Sequence, residues 1–266
     1  MYDYIVDSHC HLNLIEDKGV NFAAIIANLK KYNVRILNNI CTDIDKYEVI
    51  SKYKDFSNII IYSTIGDHPC TISNQRLPKS KNDILEYIEN YSNIIGIGET
   101  GLDYYHDKSF IDLQKISFLN HIQAAIDSDL PVIIHNRNSD NDMIDILKSE
   151  FSRKSFSALL HCFSSSSNLA KEAIRLGVYI SISGIVTFKN AEQLKDIVKY
   201  IPLDLLLVET DSPFLAPTPY RGPINQPAYT SFVVDYIAGL KNVSRETIID
   251  KTTSNFHKIF KRAKPL

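Results

Sequence analysis

The chain has 266 residues, of which 44% are hydrophobic and 23% charged, and its formal net charge is −2. This composition is typical of a globular protein, and the length fits one large α/β domain spanning residues 1–266. The near-neutral charge excludes a global basic field that would attract nucleic acid or a membrane surface. No apolar run approaches the roughly 18 residues of a membrane span, and the first residues lack the pattern of a signal peptide. We therefore expect a cytoplasmic protein without a membrane partner.

Short apolar runs recur along the chain, and each is followed by a longer stretch with helical spacing. The runs are aliphatic and not clearly alternating, which is typical of strands buried on both faces of a parallel sheet. We predict eight strands, at residues 4–6, 34–40, 59–65, 94–97, 131–134, 156–160, 178–182 and 205–208.

The helical candidates lie between these strands and after the last one. They cover residues 22–32, 82–90, 113–126, 169–176, 191–200 and 245–261. Alternation of strands and helices over eight units favours a closed (β/α)₈ barrel over an open, doubly wound sheet. The proline-rich residues 213–227 follow the eighth strand, so they are predicted to form a loop at the carboxyl end of the barrel.

The four cysteines form no C-x-x-C pair; they are Cys10, Cys41, Cys70 and Cys162. In a chain of this size they are predicted to be free, mostly buried thiols in a reducing compartment.

In a barrel of this type, functional residues collect at the carboxyl ends of the strands. Six side chains that can bind a metal stand at the predicted strand ends: His9, His11, Glu99, His135, His161 and Asp211. His9 and His11 are two residues apart, so they face the same side while Cys10 points into the packing. Histidine nitrogens and carboxylate oxygens together predict a site for two divalent ions, with Mg²⁺, Mn²⁺ and Zn²⁺ all open.

Glu99 lies on the fourth of the eight strands, between the two ends of this set, so it can bridge two ions. The fourth run contains no lysine, which excludes a carbamylated lysine as the bridge. The remaining histidines, His106, His121 and His257, fall outside the set of six, and we assign them no catalytic role.

The same residues carry a family resemblance. Residues 6–12 (Val-Asp-Ser-His-Cys-His-Leu) and 97–105 (Ile-Gly-Glu-Thr-Gly-Leu-Asp-Tyr-Tyr) are two of the matching segments. Further segments are residues 131–137, 160–164, 208–217 and 221–227. The chain resembles the TatD family of metal-dependent deoxyribonucleases, within the amidohydrolase-like barrels, from its first strand to Asn255 and Phe256.

The resemblance implies roles for the six side chains. One ion takes His9, His11, Glu99 and Asp211, and the other takes Glu99, His135 and His161. Asp211 is then the candidate general base, with Glu99 as a catalytic bridging ligand. Glu209 could replace Asp211 as the ligand after the eighth strand, but we expect Glu209 to orient a ligand instead.

His68, after the third strand, has two interpretations. It contacts the scissile phosphate as a catalytic residue, or it is a turn residue ahead of Pro69.

Three positions depart from the family pattern without removing a ligand: Asp67 replaces an apolar residue, His106 replaces a basic residue, and Ser165 replaces a glycine.

Substrate contacts are predicted after the fifth, seventh and eighth strands, where Arg137, Lys189 and Arg221 could bind phosphates. Tyr104, with Tyr105, could stack on the bases of a single strand. The leading hypothesis is a monomeric DNase that acts as a 3′-to-5′ exonuclease on single-stranded DNA, with RNA as a further candidate substrate. The alternative is an ester or amide hydrolase, such as a D-aminoacyl-tRNA deacylase. A non-catalytic binding role ranks last, because all six ligands are present.

Overall fold

The computed structural model describes residues 1–56 and 58–266. It contains one eight-stranded parallel sheet in which each strand pairs with the next along the chain. The strands are β1 (Ile5–Cys10), β2 (Val34–Asn39), β3 (Ile60–Ile65), β4 (Ile94–Asp103), β5 (Val132–Arg137), β6 (Ala158–Leu160), β7 (Tyr179–Ile182) and β8 (Leu206–Val208). The predicted (β/α)₈ barrel is thereby confirmed.

Two backbone hydrogen bonds join the first strand to the segment after β8 and nearly close the sheet into a barrel. The Asp211 amide donates to the His9 carbonyl at 3.0 Å, and the His11 amide donates to the Ser212 carbonyl at 2.8 Å. Asp7 adds a side-chain link, because its Oδ1 accepts from the Thr210 amide at 2.9 Å. The closure therefore lies directly beside the candidate ligands of the first and last strands.

Ten helices surround the strands in the described residues. They are α1 (Leu12–Asp17), α2 (Phe22–Lys31), α3 (Tyr47–Ser51), α4 (Lys81–Asn90), α5 (Ile111–Ser128), α6 (Asp140–Arg153), α7 (Ser167–Leu176), α8 (Glu192–Tyr200), α9 (Thr230–Lys241) and α10 (Arg245–Ile259). Within this part of the chain, no helix combines the length and apolar character needed to cross a membrane.

Four of these helices, α1, α3, α6 and α9, were not predicted. Helix α6 carried a readable signal, because Met143, Ile144 and Leu147 are buried at helical spacing. The two shortest helices, α1 and α3, have six and five residues, too few for a helical period to stand out.

Three strands extend further toward the carboxyl end than predicted, because the pattern of apolar residues stops where polar residues continue the same strand. β1 ends at Cys10 instead of residue 6, β4 at Asp103 instead of residue 97, and β5 at Arg137 instead of residue 134. His9, Glu99 and His135 therefore lie within strands and not beyond their ends.

Gly98, the residue before Glu99, must be glycine, because its φ is +135° and a Cβ would collide with the Ile133 carbonyl.

The apolar residues form two separate cores. A large layer lies between the strands and the surrounding helices. A smaller cluster fills the barrel at the amino ends of the strands, with Val6, Ile36 and Ile133 among its members. Phe256 of α10 and Phe260 just after it pack on this cluster and cover that end of the barrel.

The cysteines differ in exposure more than predicted. All four are free; Cys10 and Cys41 are buried, Cys162 is half-buried and Cys70 is exposed. Cys70 is the exception to the predicted burial, and it lies in the short 3₁₀ turn Pro69–Thr71 after β3, at the carboxyl end of the barrel.

Candidate metal centre

Six side chains from separate parts of the chain meet at the carboxyl end of the barrel. β1, β4 and β5 supply His9, Glu99 and His135, and the segments just after β1, β6 and β8 supply His11, His161 and Asp211. The structure thus brings together all six residues that were predicted as ligands.

The two carboxylate oxygens of Glu99 face different histidines. Glu99 Oε1 is 2.9 Å from His135 Nδ1 and 2.8 Å from His161 Nε2. Glu99 Oε2 lies on the other side, 3.4 Å from His9 Nε2 and 3.9 Å from His11 Nε2. This is the arrangement that a carboxylate between two ions requires, with one oxygen available to each.

His9, His11 and Asp211 form the first half of the centre. The Nε2 atoms of His9 and His11 are 3.2 Å apart, and Asp211 Oδ1 is 3.3 Å from His11 Nε2 and 3.7 Å from His9 Nε2. Cys10 packs in the apolar layer behind them, as its position between the two histidines predicts. Asp211, not Glu209, therefore faces this pair of imidazoles.

His135 and His161 form the second half, and each has a carboxylate behind it. His161 Nδ1 is 3.4 Å from Glu209 Oε1, while His135 Nε2 is 3.1 Å from Asp103 Oδ2. A carboxylate on the far nitrogen of a metal-binding imidazole fixes its tautomer and orientation. Glu209 thus lies behind His161, and Asp103 lies in the corresponding place behind His135; the orienting role of Glu209 stays a prediction.

His68 lies at the edge of the second half. Its Nε2 is 3.4 Å from Glu99 Oε1, and its Nδ1 accepts from the Cys70 amide at 3.1 Å as the chain turns at Pro69. Burial lowers the pKa of His68 to about 3. Both interpretations of His68 agree with this placement, because one nitrogen holds the turn and the other faces the centre.

The charges of the centre depend on one another. Burial favours the neutral acid at Glu99, but His161 and His68 outweigh it and hold the pKa of Glu99 well below its usual range. Burial opposes protonation of His161, yet Glu99 and Glu209 raise the pKa of His161 well above its usual value. Asp211 behaves like Glu99: burial is opposed by His11 and His9, which lower its pKa.

The donor set fits divalent metal ions. The four imidazoles and two carboxylates belong to overlapping groups of three, and within each group the nitrogen and oxygen atoms lie within 4.8 Å of one another. The Nε2 atoms of His9 and His11 are 3.2 Å apart, so only one of them can carry a proton that points at the other. A bound cation would take the place of that proton and interact with both nitrogens. Mixed imidazole and carboxylate donors suit Zn²⁺ and Mn²⁺, and carboxylates suit Mg²⁺.

The centre opens into a cavity of about 590 Å³ that is lined by His11, His68, Asp103, Arg137 and Phe214, among others. A polar groove of about 690 Å³ lies next to it and shares Asn136, Arg137 and Ser164 with the cavity.

Among the predicted substrate residues, Arg137 lines both the cavity and the groove, and Tyr104 lines the groove. The guanidinium of Arg137 stacks 3.8 Å above the exposed ring of Tyr105, and that of Arg221 stacks 3.6 Å above Phe188. Tyr104 lines the polar groove, and its hydroxyl donates to Asp142 at 2.6 Å. Lys189 is exposed beside Phe188.

The sequence model of a family described as TatD related DNase matches residues 6–261. The chain belongs to the TatD family. It is 40% identical to a protein of Buchnera aphidicola named as an uncharacterized metal-dependent hydrolase, over 97% of this chain and 96% of that one. It is 38% identical to the metal-dependent hydrolase YcfH of Escherichia coli, again over 97% and 96%.

The fold agrees with that of a solved TatD homologue, YjjV of Escherichia coli, with a TM-score of 0.83 and 22% identity over 97% of this chain and 98% of that chain. The protein is therefore a metal-dependent hydrolase of the TatD family with a barrel fold.

Two departures from the TatD pattern have structural explanations. The Asp67 carboxylate is buried, accepts from the Ile44 amide and pairs with Arg76 at 2.6 Å, which fixes the segment ahead of His68. Ser165 accepts a hydrogen bond from Asn136 at 2.8 Å, next to the polar groove. Neither residue contacts the six candidate ligands.

Asp103 is the residue of this TatD centre that the sequence analysis missed. It is buried, and although burial opposes ionisation, His135 and His106 hold the pKa of Asp103 well below its usual range. The available signal was its position in the Gly-Glu-Thr-Gly-Leu-Asp segment, four residues after Glu99.

His121 is structural: its Nδ1 lies 2.7 Å from the Ser117 carbonyl, and its Nε2 accepts from the Asp67 amide.

Proposed function

We propose that this protein is a two-metal phosphodiesterase that degrades single-stranded DNA from the 3′ end, and that it cleaves RNA by the same chemistry. The observation that carries the proposal is the division of Glu99 between the His9 and His11 side and the His135 and His161 side. This division supports two adjacent ions sharing one carboxylate, an arrangement that suits phosphoryl displacement.

One ion would be held by His9, His11, Glu99 and Asp211, and the other by Glu99, His135 and His161. Two such ions, when bound, supply a nucleophilic water at neutral pH and neutralise charge on the scissile phosphate. Mg²⁺, Mn²⁺ and Zn²⁺ are the candidates for this centre.

Asp211 is the proposed general base. Because its pKa is lowered by His11 and His9, it is a carboxylate at neutral pH and can accept the proton of the attacking water. It lines the cavity, so a substrate can approach it. His68 lines the same cavity and is proposed to contact the scissile phosphate.

The cavity and the adjoining groove support a single strand as substrate. Arg137 belongs to both, so it can hold a phosphate where the strand passes from one to the other. The exposed Tyr105 ring beside Arg137 offers a stacking surface for a base, and Tyr104 lines the groove. Arg221, whose guanidinium stacks on Phe188, is the second candidate for a phosphate contact. With a net charge of −2, the affinity should be modest and salt-sensitive.

A denaturing-gel time course tests this function. Metal-free protein is supplied with Mg²⁺, Mn²⁺ or Zn²⁺ and mixed with a 5′-labelled single-stranded DNA or RNA oligonucleotide, with Glu99→Gln as the matched variant. A ladder that shortens from the 3′ end is expected for the wild type. Removing the bridging charge should slow cleavage by roughly 10³-fold or more. An intact DNA oligonucleotide under every metal would contradict the proposal.

The second candidate is a hydrolase of carboxylic esters or amides, with D-aminoacyl-tRNA as the substrate to be tested. It is retained because the six residues of the centre would activate water for either kind of bond. Deacylation releases an amino acid without shortening the RNA, so acid gels of charged tRNA separate this activity from the nuclease.

A monomeric state, a cytoplasmic location and a single domain over residues 1–266 stay predictions. Size-exclusion chromatography with light scattering checks the first of them.

A further inference from the structure

A second group of metal-binding side chains lies at the mouth of the cavity, outside the six residues of the centre. Cys70, Asp103 and His106 direct a sulfur, an oxygen and a nitrogen at one another, with all three atoms within 4.8 Å. We propose that these three residues bind a further divalent ion of the zinc class through a cysteine thiolate.

The distances agree with such an ion. In a tetrahedral zinc site with bonds of about 2.3 Å to sulfur and about 2.0 Å to nitrogen, these two ligand atoms lie about 3.5 Å apart. The Sγ of Cys70 and the Nδ1 of His106 are 3.6 Å apart. Asp103 Oδ2 is 2.9 Å from the same nitrogen, and this pair must open by about half an ångström to admit an ion.

The three side chains are held in place by their own backbone contacts. Asp103 Oδ1 accepts from the amides of Tyr105 at 2.9 Å and His106 at 3.0 Å, which leaves Oδ2 directed toward the imidazoles. Cys70 is fixed from the other side, because its amide donates to His68 Nδ1. The ligands therefore come from two segments, the turn after β3 and the end of β4 with the loop that follows it.

The chemistry of this group differs from that of the centre. The clusters around Glu99 contain only histidines and acids among the described residues, whereas this group includes a thiol. Soft thiolate ligands select Zn²⁺ over Mg²⁺, so the two sites can hold different metals. Asp103 connects them, since its Oδ2 also lies 3.1 Å from His135 Nε2.

An ion at this place would change the charge of the entrance. Asp103 and His106 line the cavity, and in the described part of the chain its lining contains one arginine, Arg137, and no lysine. Three protein ligands leave one tetrahedral position for water or an anion, as in zinc sites that bind a substrate. The site thus fits an anionic group of a substrate, although its existence does not depend on which substrate the protein cleaves.

Cobalt substitution tests the site without any substrate. Metal-free protein is titrated with Co²⁺, and the near-ultraviolet absorption that marks a thiolate bound to Co²⁺ is recorded with the bound metal per chain. Wild type is compared with Cys70→Ser and with Cys162→Ser, which removes the other partly accessible cysteine. The band is expected in the wild type and in Cys162→Ser. Cys70→Ser should lose the band and about one bound ion per chain.

A wild type without the band, or a Cys70→Ser variant that keeps both the band and the ion, would overturn the proposal and leave a hydrogen-bonded thiol and imidazole. His106→Gln supplies a second measurement: it should keep the cysteine and weaken binding of this ion at least tenfold, and unchanged binding would remove His106 from the site. If the wild type shows the band but cuts no DNA, the proposed nuclease function fails and this metal site stands.

Discussion

At the amino end of the barrel the strands present Val6, Ile36 and Ile133 to one another, whereas at the carboxyl end they present histidines and carboxylates around Glu99. The first end is covered by Phe256 and Phe260 and excludes water. The second opens into a cavity and keeps several charged groups out of bulk solvent.

The same strands therefore serve two purposes with opposite physical requirements. Apolar packing at the amino end stabilises the fold in proportion to the surface it buries. Buried imidazoles and carboxylates at the carboxyl end cost free energy unless they are paired or bind a cation. Substitutions at the two ends should therefore change different measured properties.

The largest stability change is expected at the apolar end. Phe260→Ala should lower the free energy of unfolding by about 4 kcal/mol, because it leaves a cavity where a fully buried ring packs. Chemical denaturation of the metal-free protein measures it, and Phe56→Ala, which removes an exposed ring, should cost less than about 1 kcal/mol. A loss of bound metal in folded Phe260→Ala would show that the two ends are not independent.

The polar end also contributes to stability, through ion pairs in its loops. Arg76 lies 2.6 Å from both Asp43 and Asp67, so Arg76→Met should cost about 3 kcal/mol by leaving the buried Asp67 without its partner. Arg175→Met breaks an exposed helix pair and should cost about 0.5 kcal/mol or less. Equal costs in thermal or chemical unfolding would contradict this assignment.

The pairing of Arg76 with Asp43 predicts how that cost depends on pH. Burial opposes ionisation of Asp43, but Arg76 and Lys46 lower its pKa below the usual value. A carboxyl with a lowered pKa stabilises the fold above its unfolded pKa of about 3.9, and this contribution disappears as the pH falls through the folded pKa. The difference between wild type and Arg76→Met should therefore be full at neutral pH and shrink below about pH 4.

Glu209→Gln tests the carboxylate behind His161. It removes the charge that faces His161 Nδ1 at 3.4 Å while keeping the size of the side chain. Metal affinity should fall roughly 10–100-fold, as measured by competition with a chelator. Glu192→Gln, at an exposed helix end, is the control, and equal affinities in the two variants would exclude an orienting role.

The smallest effect is expected for a substrate contact at the rim. Arg221→Ala should weaken binding of single-stranded DNA by about 0.5–1 kcal/mol and leave the rate at saturating substrate unchanged. Arg153→Ala changes an exposed arginine at the far end of α6 and should leave the affinity as it is. A pure rate effect of Arg221→Ala would count against phosphate binding.

The sequence predicted the barrel and the meeting of the six side chains because both depend on local patterns. A short apolar run that ends in His9, His135 or His161 identifies the strand and its functional end together. The predicted strand limits were less accurate. β4 continues through Glu99 to Asp103, and the polar residues in this part of the strand do not continue the hydrophobic pattern.

Contacts between loops could not be predicted from the sequence. The pairing of Arg76 with Asp67 and the approach of Cys70 to His106 join segments whose relative position is fixed only when the barrel closes. His106 and Asp67 could be singled out as departures from a family pattern, but their partners could not be predicted.

Anomalous diffraction from crystals grown with Mn²⁺ would show whether Glu99 joins two ions, because it locates bound ions without reference to a substrate. We predict two peaks that share the Glu99 carboxylate, one beside His9, His11 and Asp211 and the other beside His135 and His161. A single peak among these six residues, or two peaks there of which one does not contact Glu99, would contradict the two-metal account.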